Sequence, residues 1–158
     1  MKMMTKKINS EFYDYNRLGD LLFIFHKNHK TYFNNALAKY DLNLIQVLCI
    51  ARIYNEEIFN NSFLNQKDLS DSLYITKGAI TKSIRKLEQN EIIIRQKSSE
   101  DKRHNILRLS QKGKELIPIL EGINKEWEEK MGLNELDDQF FKTFIELAFR
   151  SVELNDNE

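Results

Sequence analysis

The chain has 158 residues, of which 41% are hydrophobic, and its 24 Lys and Arg balance its 24 Asp and Glu. This composition excludes an intrinsically disordered chain, and the single cysteine excludes an intramolecular disulfide framework. No stretch approaches the roughly 20 apolar residues of a membrane span, and the N-terminal cations precede no apolar segment of a signal peptide. We therefore expect one soluble domain over residues 1–158 that works in the reducing cytoplasm.

The N-terminal region has apolar residues at helical spacing from residue 11 to residue 40 and predicts one helix of about 30 residues. A small domain does not cover so long an apolar stripe by itself, so we expect part of it to contact a partner chain. Asp41 and Asn43 are candidate N-caps of a second helix over residues 44–55. The sequence "NNSF" at residues 60–63 predicts a turn.

A short helix followed closely by a cationic helix is predicted in the middle of the chain. Asn65 can cap the helix of "NQKDLSDSLY", and Thr76 can begin the helix of "TKGAITKSIRKLEQ". Only about three residues separate the two helices. Two short helices joined this tightly, the second amphipathic and cationic, are typical of a helix-turn-helix, here over residues 65–89.

A β-hairpin is predicted after the cationic helix. Asn90 is expected to end that helix in the left-handed conformation. The segments "IIIRQ" and "ILRLS" predict two strands, joined by the polar "KSSEDKRHN". A hairpin with a charged tip that follows a cationic helix is a wing, here over residues 92–110.

Two further helices are predicted at the C-terminus, over residues 111–130 and 135–153. The last one is apolar around most of its circumference, which is typical of a helix buried between subunits or deep in a bundle. The charges also divide along the chain. Residues 76–114 hold eleven Lys and Arg against four Asp and Glu, a net charge of +7, whereas residues 115–158 have a net charge of −8. This segregation indicates one face that meets a polyanion.

The order of these segments resembles the multiple antibiotic resistance regulator (MarR) family of bacterial winged helix-turn-helix repressors over nearly the whole chain. The most specific motif is the Asp-x-Arg of the wing, here Asp101-Lys102-Arg103. The strand and the Ser-x-x-Gly run that follow in the family match Leu107 to Gly113. The resemblance implies a mainly α fold with a small β wing.

The family usually has Gly just after the recognition helix, where this chain has Glu91, and we expect Asn90 to take that role. The resemblance further implies a homodimer whose first and last helices interlock, through residues 11–42 and 112–155, with a DNA-binding lobe over residues 43–110. Each subunit would offer one helix and one wing to a pseudo-palindromic operator. A ligand-responsive repressor is the implied function, and some members of the family bind small aromatic anions as effectors.

The cationic helix is the candidate for the DNA major groove, which admits an α-helix. Thr76, Lys77 and Thr81 can reach base edges or phosphates, while Gly78 and Ala79 let the backbone come close. The remaining cations of this helix are expected to contact phosphates, which position a protein without reading sequence: Lys82, Arg85 and Lys86. An ordinary solvated amphipathic helix is the alternative interpretation.

The wing tip is the candidate for the minor groove, whose negative potential favours an inserted guanidinium such as that of Arg103. Asp101, two residues earlier, can hold that guanidinium in place. Lys102 and His104 are further candidates for backbone contacts. The alternative is a surface ion pair, which contributes little.

No catalytic motif, Gly-rich phosphate loop or metal-ligand cluster stands out, so neither an enzyme nor a cofactor is predicted. A winged-helix protein-interaction module is one alternative function. A metal-sensing regulator is another, because His26 and His29 lie three residues apart on the first helix. Cys49 is expected to be a buried, inert thiol. Four aromatic residues could line an effector pocket or serve only in packing: Phe23, Phe25, Tyr32 and Phe33.

Overall fold

The computed structural model describes residues 17–156, in two compact units that meet in the chain between Lys114 and Glu115. Its elements in chain order are α1 (Leu18–Leu37), α2 (Leu44–Phe59), α3 (Gln66–Leu73), α4 (Lys77–Gln89), β1 (Ile93–Lys97), β2 (Asn105–Leu109), α5 (Gln111–Met131) and α6 (Asp138–Asp156). The predicted fold class, mainly α with a small β wing, is confirmed. Within the described residues no helix combines the length and apolar character needed to traverse a membrane.

Helix α1 is shorter than the sequence predicts. It begins at Leu18, after Arg17 in extended backbone, and ends at Leu37, and a short 3-10 turn continues to Tyr40. The prediction of one uninterrupted helix is therefore wrong at Arg17, and its part over residues 11–16 lies outside the described residues. The apolar residues of this region have helical spacing, but that spacing does not by itself determine where the helix begins and ends.

Helix α2 begins where the sequence predicts. Asn43 accepts a hydrogen bond from the Gln46 amide (3.0 Å), and the Gln46 side chain accepts one from the Asn43 amide (2.9 Å), which is a complete capping box. Asp41, the other candidate, is not the cap; it ends the preceding turn with a φ of 55°. The helix runs one turn beyond the predicted end, to Phe59.

The helix-turn-helix is confirmed with both of its predicted caps. Asn65 accepts from the amide of Asp68 (2.8 Å), and Thr76 accepts from the amide of Ala79 (3.4 Å). Helix α3 packs against α4, and both contact α2. The shared core consists of fully buried side chains from all three helices, and their burial holds α4 against α2 and α3: Ile50, Ile53, Leu69, Ile80, Ile84 and Leu87.

The wing is an antiparallel hairpin in which Ile93 pairs with Leu109 and Lys97 with Asn105. Leu107 and Leu109 are buried and Arg108 lies on the other face, as the alternation predicts. The amide of Leu107 also donates to the carbonyl of Leu64 (2.8 Å) in an isolated antiparallel bridge that the sequence does not reveal. The hairpin is thereby fixed to the segment that precedes α3.

The connection from α4 to β1 differs from the prediction. Asn90 is not left-handed (φ −85°); Glu91 is (φ 58°). The amide of Glu91 bonds to the carbonyl of Glu88 and that of Ile92 to the carbonyl of Leu87, which is the Schellman arrangement. This arrangement requires the left-handed residue one position after the helix cap, so the turn forms here with Glu at the strained position.

Glu91→Gly is expected to stabilise the protein by about 1 kcal/mol, because glycine adopts this conformation without the steric cost of a Cβ. Urea unfolding of the full chain measures the effect. Glu100→Gly is the control: Glu100 is exposed and has a negative φ, so the same change should be neutral or destabilising. Equal effects of the two substitutions would contradict the strain at residue 91.

The second unit contains most of α5 and all of α6. No residue of α6 is buried, although the helix carries several large apolar side chains. Phe144 and Phe149 expose 41% and 54% of their surface, and the Phe140 and Phe144 rings stack at 5.9 Å between centroids. In one chain alone, the apolar face that the sequence predicts on the last helix is thus uncovered.

Candidate nucleic-acid interface

The first turns of α4 present small and polar side chains to solvent. Lys77, Gly78 and Thr81 are exposed. A Cβ built on Gly78 meets nothing within 4 Å, so packing does not require glycine there. The Thr76 hydroxyl is used as the helix cap, and Ala79 is half-buried beside it. The surface around Gly78 is therefore one that another backbone can approach closely.

The cations of α4 fall into two groups. Lys77, Lys82 and Arg85 are exposed and form no ion pair within residues 17–156. Lys86 is held by Asp41, with its Nζ 2.9 Å from Oδ2, and Asn90 donates to the same oxygen (3.2 Å). Hydrogen bonds from Lys86 and Asn90 lower the pKa of the Asp41 carboxyl. The sequence suggested Asp41 only as a helix cap and did not reveal this anchor.

The wing tip brings Asp101 and Arg103 together as the sequence predicts. The Arg103 guanidinium donates through Nε to Oδ1 (3.1 Å) and through Nη2 to Oδ2 (3.2 Å), and its amide also bonds to Oδ1 (3.0 Å). Hydrogen bonds from Arg103 lower the pKa of Asp101. The Arg103 side chain is 87% exposed, so its carboxylate partner orients the guanidinium without covering it.

His104 and Lys102 complete the tip. His104 Nε2 lies 3.5 Å from Asp101 Oδ2, and the His104 amide bonds to the Asp101 carbonyl, which closes the loop. Ser98 accepts from the amides of Glu100 and Asp101 (3.2 and 3.3 Å). Lys102 is exposed and has no ion-pair partner in the described part of the chain. The tip is a compact turn with Arg103 and Lys102 projecting from it.

A largely buried carboxylate, that of Glu57, lies at the base of the wing and was not predicted from the sequence. Glu57, on α2, forms two ion pairs through Oε1. One is with Nη2 of Arg108 on β2 (3.3 Å), and the other is with Nζ of Lys114 on α5 (3.1 Å). Burial acts to raise the pKa of Glu57, but the hydrogen bonds from Lys114 and Arg108 outweigh it and keep the pKa below its usual value. Arg108 also lies over the Phe63 ring, 4.8 Å from its centroid. These contacts fix the direction in which the wing leaves the core.

The Ser-x-x-Gly run that follows β2 has a structural role. The Ser110 hydroxyl donates to the carbonyl of Glu91 (2.6 Å) and accepts from the amide of Gly113 (3.0 Å). A Cβ on Gly113 would lie 2.4 Å from the carbonyl oxygen of Ile92. The motif therefore lets α5 begin directly against the turn that follows α4.

The two histidines of α1 have different surroundings. His29 lies between aromatic rings, 6.2 Å from that of Phe25 and 4.7 Å from that of Phe33, and burial lowers its pKa, with a smaller contribution from His26. Within residues 17–156 no group of three or more His, Cys, Asp and Glu is arranged to hold a metal ion.

Cys49 is fully buried, and burial raises its pKa to about 12. A thiol in this setting is un-ionised at neutral pH.

A cavity of about 510 Å³ lies beside α1, α2 and the end of α3. His26 and Lys30 contribute its polar wall, and Leu44, Leu48 and Ile75 its apolar wall. None of the four aromatic residues suggested by the sequence lines it. The helical position of Phe23, Phe25, Tyr32 and Phe33 was clear from their spacing, but the side of α1 that would face a cavity was not.

A helix-turn-helix followed by a hairpin with a cationic, exposed tip defines a winged helix-turn-helix DNA-binding protein. The sequence model of the MarR family matches residues 42–104, which is the segment from α2 to the wing tip. The crystal structure of MarR is similar over 92% of this chain and 99% of its own, with 27% identity and a TM-score of 0.74. From α2 to the wing tip, the chain is thus similar to the MarR family.

Two further proteins agree with this assignment. The HTH-type transcriptional regulator SarZ of Staphylococcus haemolyticus is 28% identical over 69% of this chain and 71% of its own length. The structure of a complex of Staphylococcus aureus MepR with DNA shares the fold, with 18% identity, a TM-score of 0.72 and coverage of 87% of this chain and 97% of the MepR chain. These similarities point to the class of helix-turn-helix transcriptional regulators.

Proposed function

We propose that the protein represses transcription as a homodimer that places α4 in the major groove and the wing in the adjacent minor groove of a pseudo-palindromic operator. The observation that carries this proposal is the exposed guanidinium of Arg103, which donates through Nε and Nη2 to Asp101 at the wing tip. An inserted guanidinium responds to minor-groove width, and hence to A/T content. Half-site centres are expected about 34 Å apart, one helical turn of DNA.

The proposed DNA surface consists of two clusters. In the first, Thr76, Lys77, Gly78, Ala79 and Thr81 approach base edges and nearby phosphates, and Lys82, Arg85 and Lys86 contact phosphates. In the second, Asp101, Lys102, Arg103 and His104 form the minor-groove tip. Lys86 differs from the other cations because it must share its ammonium between a phosphate and Asp41. Its contribution to binding should be smaller for that reason.

The test compares Arg103→Ala with Lys102→Ala, its exposed neighbour. Arg103→Ala should weaken operator binding by about 1–3 kcal/mol and random duplex less, so that the specificity ratio falls. Lys102→Ala should weaken both about equally, because a phosphate contact positions the protein without reading sequence. Fluorescence anisotropy on an operator recovered by selection from random DNA measures both. Equal losses for the two variants would refute minor-groove readout by Arg103.

Asp101→Ala separates orientation from simple charge. If Asp101 orients the guanidinium, removing it should weaken operator binding although it removes a negative charge next to DNA. Simple electrostatics predicts the reverse, because one repulsive carboxylate has gone. Affinities on operator and random duplex at two salt concentrations decide between the two, and tighter operator binding by Asp101→Ala would contradict the orienting role.

Dimerisation is supported by the uncovered apolar face of α6 and by the exposed apolar residues of α1, such as Leu18 and Phe23. Phe144→Glu should shift the protein towards monomer, because it places a charge in the apolar face. Thr143→Glu on the same helix, where Thr143 is exposed and polar, is the matched control and should leave the dimer intact. Light scattering at micromolar concentration measures both; a stable monomer in the unmodified protein would rule the dimer out.

An effector is proposed for the cavity beside α1. Its apolar wall of Leu44, Leu48 and Ile75 and its cation, Lys30, suit a small aromatic anion. A ligand in a cavity that touches α1, α2 and the end of α3 would change the position of the helix-turn-helix relative to α1. Salicylate is a convenient probe, and its release of operator DNA from the unmodified protein but not from Lys30→Met would support the site.

The proposed location of the protein is the cytoplasm, because the operator DNA that it is proposed to bind lies there.

A further inference from the structure

Thr81, on the exposed side of α4, has a side-chain hydroxyl that takes part in two hydrogen bonds, one within α4 and one to α3. Its hydroxyl donates to the carbonyl of Lys77, one turn earlier (2.8 Å). The same oxygen accepts a hydrogen bond from Nε2 of Gln66, the first residue of α3 (2.7 Å). A hydroxyl group has one hydrogen, and here that hydrogen is used within the helix. Thr81 therefore has nothing left to donate to a phosphate or to an acceptor on a base.

Thr81 is exposed, and apart from the hydroxyl its side chain ends in a methyl group. A threonine in a helix divides between two rotamers, because its hydroxyl can bond to the carbonyl of an earlier turn. The hydrogen bond from Gln66 favours one of them, the rotamer seen here, with the oxygen turned towards α3. The side chain that the sequence offers as a hydrogen-bonding group is thus held as an apolar one.

The orientation of Gln66 is itself fixed by the wing. Arg95, on β1, donates from Nη2 to Oε1 of Gln66 (3.1 Å). A guanidinium only donates, so the amide oxygen must face Arg95 and the amide nitrogen must face Thr81. Glu88 in turn holds Arg95 through Nε (2.9 Å) and Nη2 (3.3 Å). The chain Glu88–Arg95–Gln66–Thr81 therefore connects α4, β1 and α3 and ends at the exposed threonine.

We infer that Thr81 reads the C5-methyl group of a thymine in the major groove, and that Gln66 and Arg95 are positioning residues for this contact. The inference depends on the proposed docking of α4 in the major groove. The thymine methyl is the apolar feature that this groove presents, and a threonine methyl is a known partner for it. The exposed setting of Thr81 beside Lys77 and Gly78 places it on the surface proposed to face DNA.

The experiment replaces thymine by uracil, which lacks only the C5-methyl, one position at a time in an operator selected with the purified full-length protein. At one position in each half-site, replacing thymine by uracil should weaken binding of the unmodified protein about fourfold, which is the effect of one buried methyl group. Thr81→Ser retains the hydroxyl and its hydrogen bonds but lacks the methyl. It should bind the thymine operator about fourfold more weakly per half-site and should no longer distinguish thymine from uracil at that position.

The positioning residues are tested by the same thymine-to-uracil affinity ratio, which a general loss of stability does not change. Gln66→Met and Arg95→Met should lower the ratio towards one. Lys67→Met, next to Gln66 but paired with Asp71, is the control and should leave the ratio unaltered whatever it does to overall affinity.

The possible results separate the inference from the function on which it depends. Selective operator binding with no response to uracil at any position, or a response that Thr81→Ser retains, overturns the role of Thr81. A ratio that survives in both Gln66→Met and Arg95→Met overturns their positioning role. Failure of the unmodified protein to prefer any selected duplex over random DNA would instead contradict the proposed function, and the inference would fall with it.

Discussion

Gly113→Ala is expected to destabilise the protein by about 3 kcal/mol, although alanine is the better helix former. The added Cβ would lie 2.4 Å from the carbonyl oxygen of Ile92 and 3.3 Å from its Cγ2. That carbonyl cannot move away easily, because it accepts a hydrogen bond from the amide of Ser110 (3.0 Å). Urea unfolding at fixed protein concentration measures the change.

The control for this substitution is Gly78→Ala, also in the first turn of a helix. Nothing lies within 4 Å of a Cβ at Gly78, so this change should be neutral or should stabilise the protein by up to about 1 kcal/mol. It should nevertheless weaken DNA binding if the backbone there approaches DNA closely. A stability loss at Gly78 as large as that at Gly113 would show that helix position, and not the contact with Ile92, is responsible.

Raising the salt concentration from 50 to 200 mM is expected to weaken DNA binding on the order of 10³-fold or more. In a dimer, the exposed cations without ion-pair partners in the described residues would neutralise about eight phosphates, and each neutralised phosphate releases counterions. Four such residues per subunit lie on the proposed surface: Lys77, Lys82, Arg85 and Lys102. A weak salt response would show that the cationic face serves another purpose.

Single substitutions resolve this salt dependence by residue. Lys82→Gln should reduce the slope of log affinity against log salt by about two, because the change occurs in both subunits. Lys86→Gln should reduce it less, because Lys86 is already paired with Asp41. Lys125→Gln, in the acidic C-terminal part of the chain, is the control and should leave the slope unaltered.

The sequence predicted those parts of the fold that depend on neighbouring residues. Asn43, Asn65 and Thr76 were identifiable as caps because a cap bonds to an amide only three residues away. The alternation of β2 and the contact of Asp101 with Arg103 were identifiable for the same reason, since strand faces alternate every residue and the ion pair spans two positions. The winged helix-turn-helix and its candidate DNA-binding residues follow from such short-range patterns.

The tertiary structure decided the features that join distant segments. Asn90 meets Asp41 across 49 positions, Arg108 meets Glu57 across 51, and Arg95 meets Gln66 across 29. No local pattern indicates such partners, because each pair meets only after the buried faces of the helices and the hairpin have packed. The conformation of Glu91 has the same origin: the position of β1 against α4 imposes a left-handed residue there, against its own preference.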